Sequence, residues 1–257
     1  MSAGQAEAGG EPPMVEAGRG LVAAAAASAI PVRLLGGVAI WIRSRDAARA
    51  ALGRDYPDID VVAHKRQSRD LRRVLESSGF LPERVFNATH GARRLLYHSP
   101  NDSWHVDVFL DIFEMSHTLD LGSRLETEPV TLPAADLLLT KLQIAEINRK
   151  DLSDVAMLLW DHEPAAGDGP GQVSMTRLAT VCGDDWGLYT TVTDNLSRAT
   201  PLLAELPMGG ADRARVAGRI EAIGHALETA PKTMGWRMRA KVGRRVRWYE
   251  VPEEVVR

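Results

Sequence analysis

The stretch Leu34–His64, LLGGVAIWIRSRDAARAALGRDYPDIDVVAH, carries two adjacent glycines near its start and two carboxylates, Asp58 and Asp60, inside an apolar run at its end. PVRLLGG, from Pro31 to Gly37, reads as a short strand ending on glycine. VAIWIRSRDAARAAL reads as a helix, and DIDVVAH as a β-branched strand. Strand side chains two residues apart project from the same face, roughly 6.6 Å apart at ~3.3 Å per residue. Asp58 and Asp60 therefore point together, while Ile59 and Val61 face the other way and pack. Two carboxylates on one face repel unless a cation sits between them, and hard oxygen ligands with substrate phosphates are what Mg²⁺ favours.

Outward from this stretch the pattern continues as an α/β unit. SRDLRRVLESSGF, from Ser68, places Leu71, Val74 and Leu75 on one side of a helix with a glycine just past its end. RRLLYHS and SWHVDVFLDIF read as two strands joined by the turn PND. In the second run Asp107, Phe109 and Asp111 share one face, with Val106, Val108 and Leu110 on the other. Asp107 lies mid-strand and is the better third acid. Three carboxylates on adjacent strands can hold two metal ions about 3.5–4 Å apart, which activates an attacking oxygen and neutralises a leaving pyrophosphate.

Past Pro133 the period becomes helical, in PAADLLLTKLQIAEI, DLSDVAMLLWDH, MTRLATVCGDDWGLYTTVTDNLSRATPLLAEL and DRARVAGRIEAIGHALETA, with EPAAGDGPGQ (163–172) as the clearest loop. The expected organisation is a disordered Gly/Ala/Pro/Glu tail over residues 1–18, an α/β core over 19–130 and an all-helical domain over 131–257. The alanine run from Leu21 should be helical until Pro31, with a strand from Val32.

Composition excludes several classes. With 257 residues and 45% apolar content the chain can bury a real core, and a net charge of −3 marks no general polyanion binder. The lone Cys182 rules out an internal disulfide framework and a cysteine-rich zinc site, and fits a reducing compartment. No apolar run reaches the ~18 residues that span a bilayer. Glu7, Glu11 and Glu16 against Arg19 give the wrong charge for a secretory leader before Leu21–Val32, so a cytoplasmic, membrane-free protein is expected. The histidines lack zinc-site spacing, and neither a serine-hydrolase elbow nor a Walker loop occurs.

The Gly36-Gly37 turn opening a helix, the Asp58-x-Asp60 strand and the later Asp107 resemble the nucleotidyltransferase superfamily. KLQIAEINRKDLSDVAML, Lys141 to Leu158, resembles the Lys…Arg-Lys-Asp-x-x-Asp signature of the abortive-infection (type IV toxin) members, over about residues 32–160. The resemblance implies a nucleotidyltransferase-like mixed sheet flanked by helices in an α+β fold. It implies Mg²⁺ or Mn²⁺ on Asp58, Asp60 and Asp107, and NTP phosphates on Gly36, Gly37, Lys141 and Lys150. The reaction implied is transfer of an NMP to a hydroxyl on RNA (tRNA) or protein with release of pyrophosphate, and the partner implied is an antitoxin. Antibiotic-type small-molecule acceptors, or an inactive nucleotide- or partner-binding member, are the alternatives. Many members have Ser after the first glycine; with Gly37 there, phosphate contact falls to backbone N–H groups at the helix start.

Outside the resemblance, Lys141 and Arg149 or Lys150 can each present a cation to phosphate. Asp151 and Asp154 read as a capping box for the following helix and stay out of the catalytic set. KTMGWRMRAKVGRRVR, Lys232 to Arg247, combines basic charge with Trp236, and Trp248 follows. That pattern suits either an RNA backbone with stacked bases or a helix packing its tryptophans inward.

Overall fold

The structure is a computed structural model and describes residues 11–251. Most of the expected tail 1–18 lies outside the described residues, but its end is helical: α1 runs Pro13–Ala27. Val15, Gly18, Leu21, Val22 and Ala25 form its buried stripe, with Leu34 and Val38 close against Gly18. The helix expected from Leu21 is its second half; before Leu21 the Gly and Ala bury by close approach rather than by bulk, so composition alone hides that part.

The next elements are β1 (Val32–Leu35), α2 (Gly36–Arg43), α3 (Asp46–Leu52), β2 (Asp58–Ala63), α4 (Ser68–Ser77), β3 (Leu81–Pro82), α5 (Arg84–His90), β4 (Arg94–His98) and β5 (His105–Leu110). The single helix expected after Gly37 is two, because Ser44 turns extended and its hydroxyl donates back to the Ile40 carbonyl. The strands form one mixed sheet in the order β1-β2-β5-β4-β3. Only β2 and β5 are parallel, so their connection must cross over; α4, β3, α5 and β4 supply it. This register sets Asp58 beside His105 and Asp60 beside Asp107.

The run SWHVDVFLDIF does not continue as one strand. Asp111 has φ +61°, accepts the Lys65 N–H, and lies 2.9 Å from the His64 ring nitrogen Nδ1. The chain then turns into β6 (Ile112–Glu114), paired with β7 (Thr118–Asp120). Asp111 thus pins the opposite end of the parallel pair, away from Asp107's neighbours.

The remaining elements are α6 (Ala134–Leu142), α7 (Arg149–Asp161), β8 (Glu163–Ala165), β9 (Gln172–Ser174), α8 (Met175–Asp184), α9 (Trp186–Leu202), α10 (Gly210–Thr229) and α11 (Met234–Val242). The expected all-helical second half is therefore interrupted. What reads as the loop EPAAGDGPGQ closes a short parallel ladder, with Gly171 at φ +69° and Val173 fully buried. The apolar core is continuous from Val15 to Leu227. Residue 130 marks a change of secondary structure, with packing unbroken across it.

Candidate active site

Leu35 pairs with Asp60 across β1 and β2, so the end of β1 delivers the Gly36-Gly37 turn to the acidic end of β2. Gly36 sits at φ +68°, and a Cβ there would stand 2.2 Å from Asp60 Oδ2. A Cβ on Gly37 would stand 2.7 Å from the Tyr56 ring and 2.9 Å from Arg54 Nη2. Each glycine is thus required by a different neighbour: the first by an acid, the second by an aromatic and a guanidinium. The helix they open, α2, has no side-chain cap; its N-cap Leu35 is extended and apolar.

Asp58 and Asp60 share a face of β2 as expected, and Asp107 is the neighbour of Asp60 on β5. Burial first, then the charges of Asp58 and Asp107, push the Asp60 carboxyl well above the usual carboxylate range. Asp107 is itself buried and accepts a hydrogen bond from Arg94 Nε at 2.7 Å. The Arg94 guanidinium in turn lies over the rings of Phe109 and Phe86. His105 Nε2 stands 3.7 Å from Asp58 Oδ2 and equally far from Asp107 Oδ2.

These donors suit a hard divalent cation. They are carboxylate oxygens, and burial first, then the charges of Asp58 and Asp107, disfavour the ionised form of Asp60. Among the described residues no group of three His, Cys, Asp or Glu side chains is placed to hold a metal ion, and Arg94 pairs with Asp107.

The second motif lies close by and is arranged differently from expectation. Lys141 on α6 is almost enclosed, its Nζ 2.7 Å from Asp151 Oδ1 and 2.9 Å from Asp154 Oδ2. Burial alone would lower its pKa, but the two acids outweigh burial and raise it, so the ammonium is permanent. Its charge also favours ionisation of Asp60. Asp154, fully buried, takes the Arg54 fork on both oxygens, at 3.3 and 2.9 Å. The N-cap of α7 is Asn148, whose Oδ1 accepts the Asp151 N–H, leaving both acids to hold cations rather than a helix end. Lys150 is exposed in the first turn of α7. Arg149 likewise pairs outward, with Glu205.

Sequence reasoning missed Arg54, Tyr56, Arg94 and His105. His105 was within reach of it, being two residues before Asp107 on the same strand face. The others enter through contacts 13 to 100 residues away in sequence.

In the basic segment the tryptophans are already occupied. Trp236 meets Tyr189 edge-on, and Trp248 meets Trp186 and donates Nε1–H to Thr191 on α9. Arg239 is half-buried over the Trp186 ring, while Arg237, Arg244, Arg245 and Arg247 are exposed, Arg244 pairing with Asp194. Among the described residues no helix is long and apolar enough to cross a membrane. No family model matches the chain, and no curated protein matches it.

Proposed function

We propose that the protein is a metal-dependent nucleotidyltransferase moving an NMP from an NTP to a hydroxyl on RNA or protein. The observation that carries this reading is the parallel register of β2 and β5. It sets Asp60 beside Asp107 at the point where the positive-φ glycine turn abuts the Asp60 carboxylate. In the reaction the acceptor oxygen bonds to the α-phosphorus, the bond to the bridging oxygen breaks, and pyrophosphate leaves. Asp58 and Asp60 would hold Mg²⁺ or Mn²⁺, which would supply charge neutralisation on the phosphates. Asp107 receives the acceptor hydroxyl's proton, and Arg94 orients its carboxylate. The uncapped start of α2 meets phosphate oxygens, while Lys141 adds fixed positive charge beside Asp60. Rate acceleration then rests on positioning and charge neutralisation.

A second reading, a member that binds nucleotide without transferring it, draws on the Arg94–Asp107 pair, which occupies one oxygen of the third acid. Incubation with Mg²⁺, each labelled NTP, and tRNA or cell extract decides between them. Transfer should label RNA or protein, and Asp58→Asn with Asp60→Asn should lower it by about a thousandfold or more. Label in neither acceptor, with nucleotide still bound, selects the second reading. Transfer unchanged in the double variant overturns the metal-site assignment.

A further inference from the structure

We propose that the outer face of α11, with the chain that follows it, docks on an anionic lipid surface. Thr233 caps this helix, its hydroxyl accepting the Trp236 N–H at 3.2 Å, and the segment turns its tryptophans toward the protein. Trp236 meets Tyr189, and Trp248 meets Trp186. What faces outward is aliphatic or thioether instead. Met234 is 70% exposed, Met238 64%, Val242 43% and Val246 58%. Among the described residues the exposed large apolar side chains outside 234–251 are Leu81 and Val85 alone, so this segment concentrates what the rest of the surface avoids.

Helical spacing gathers these side chains. Positions i, i+4 and i+8 run along one stripe of α11, so Met234, Met238 and Val242 lie in line, while Arg237 and Lys241, each three residues past a methionine, border them. Arg239, over the Trp186 ring, donates to the Gly243 and Val246 carbonyls at 2.8 and 2.9 Å, which holds Val246 close to the helix end. Between Lys232 and Tyr249 the chain has seven cations and no acid. Among the described residues Arg237, Lys241, Arg245 and Arg247 have no carboxylate partner, and Arg244 pairs with Asp194.

Charge decides the occupant. An apolar stripe edged by cations suits the plane of a bilayer, where methionine and valine enter the acyl boundary and the cations meet lipid phosphates. An RNA backbone would satisfy the cations but leave Met234, Met238 and Val242 in water, and the tryptophans that would stack its bases are turned inward. The whole chain carries a net charge of −3, so this local excess of positive charge sets which face approaches an anionic leaflet. Such binding is interfacial and needs no spanning helix.

The test is sedimentation of the full chain with vesicles of phosphatidylcholine alone and of phosphatidylcholine with roughly 30 mol% phosphatidylglycerol. The parent should bind the anionic vesicles about tenfold or more tightly than the neutral ones, and salt at about 0.5 M should remove most of that difference. Met234→Ser with Met238→Ser, at an unchanged melting temperature, should weaken binding to anionic vesicles about tenfold, and Arg237→Gln with Lys241→Gln should do the same. Should the methionine pair lower the melting temperature, Val242→Ser with Val246→Ser reads the same stripe. Sedimentation with neither vesicle overturns the proposal, and so does equal binding to both. Binding that the cation pair weakens and the apolar pairs leave unchanged also overturns it, because that surface reads charge alone, as one for RNA or an acidic protein would.

Discussion

Two clusters of buried acid in this molecule are compensated very differently. Asp136 on α6 is wholly enclosed, and each of its oxygens accepts a guanidinium N–H at 2.8 Å, one from Arg124 and one from Arg177. Asp168 balances the second arm of Arg124. Two acids meet two arginines, and the cluster ties α6 to α8 and to the chain following β7. At Asp58, Asp60 and Asp107, the described contacts include Arg94 on Asp107 and His105 between Asp58 and Asp107, with Lys141 acting on Asp60 from nearby. Balanced clusters of this kind hold a fold together; at Asp60, burial and the neighbouring charges of Asp58 and Asp107 disfavour the ionised form.

The comparison breaks most visibly at Asp136. Asp136→Ala leaves two largely buried guanidinium groups facing each other without their shared acid. The expected loss is about 3–5 kcal/mol, read as a lowered midpoint in urea unfolding at pH 7. A loss under about 1 kcal/mol would show that the cluster is as dispensable as a surface pair.

Asp60→Asn sharpens the same contrast from the other side, because it should stabilise the metal-free protein. A carboxyl whose folded pKa is raised contributes stability that is present below its unfolded value near 4 and lost as pH rises through the folded value. Stability of the parent should therefore decline relative to Asp60→Asn across that interval, by an amount on the order of 1–3 kcal/mol at pH 8 without divalent cation. Adding Mg²⁺ should close the gap by stabilising the parent alone. Identical pH profiles for the two proteins would mean that the acids do not repel.

Much of this arrangement is legible in the sequence because it is local. The period of two in DIDVVAH and HVDVFL places each acid on its face, and a Gly-Gly pair between strand and helix marks the turn. The neighbour relation of Asp60 and Asp107 is not local: it depends on a parallel crossover through α4, β3, α5 and β4. Charge bookkeeping fails for the same reason. Lys141, Asp151 and Asp154 read as a phosphate-binding cation and a helix cap, yet the three close on one another and recruit Arg54 from 100 residues away. Asp111 was assigned Asp107's face by alternation, which lapses where the backbone turns to φ +61°. The half of the α1 stripe before Leu21 is illegible in composition because Gly18 packs by letting Leu34 come near rather than by its own bulk.

His162, after the last turn of α7, shows a third way to bury an ionisable group, which is to keep it uncharged. It is 3% exposed, Nδ1 donates to the Leu158 carbonyl at 3.0 Å, and the cations Arg43 and Arg219 outnumber the one nearby acid, Asp161. Burial first, then Arg43, lowers its pKa to about 4. The unfolded chain takes up this proton near 6.5 and the folded one only near 4, so the stability is complete above the unfolded value and is lost as pH falls toward the folded one. Between pH 7 and 5 the loss attributable to His162 is about 2 kcal/mol. It is measured as the change in urea midpoint of the parent minus that of His162→Gln, which still offers an N–H to Leu158 but cannot take up a proton. Equal acid sensitivity in the two proteins would place that proton uptake elsewhere, with buried His117, also lowered by burial, the next group to replace. Because this effect grows on acidification while the gain from Asp60→Asn grows on alkalinisation, the two variants together separate a base held neutral by burial from an acid whose ionised form burial and its neighbours disfavour.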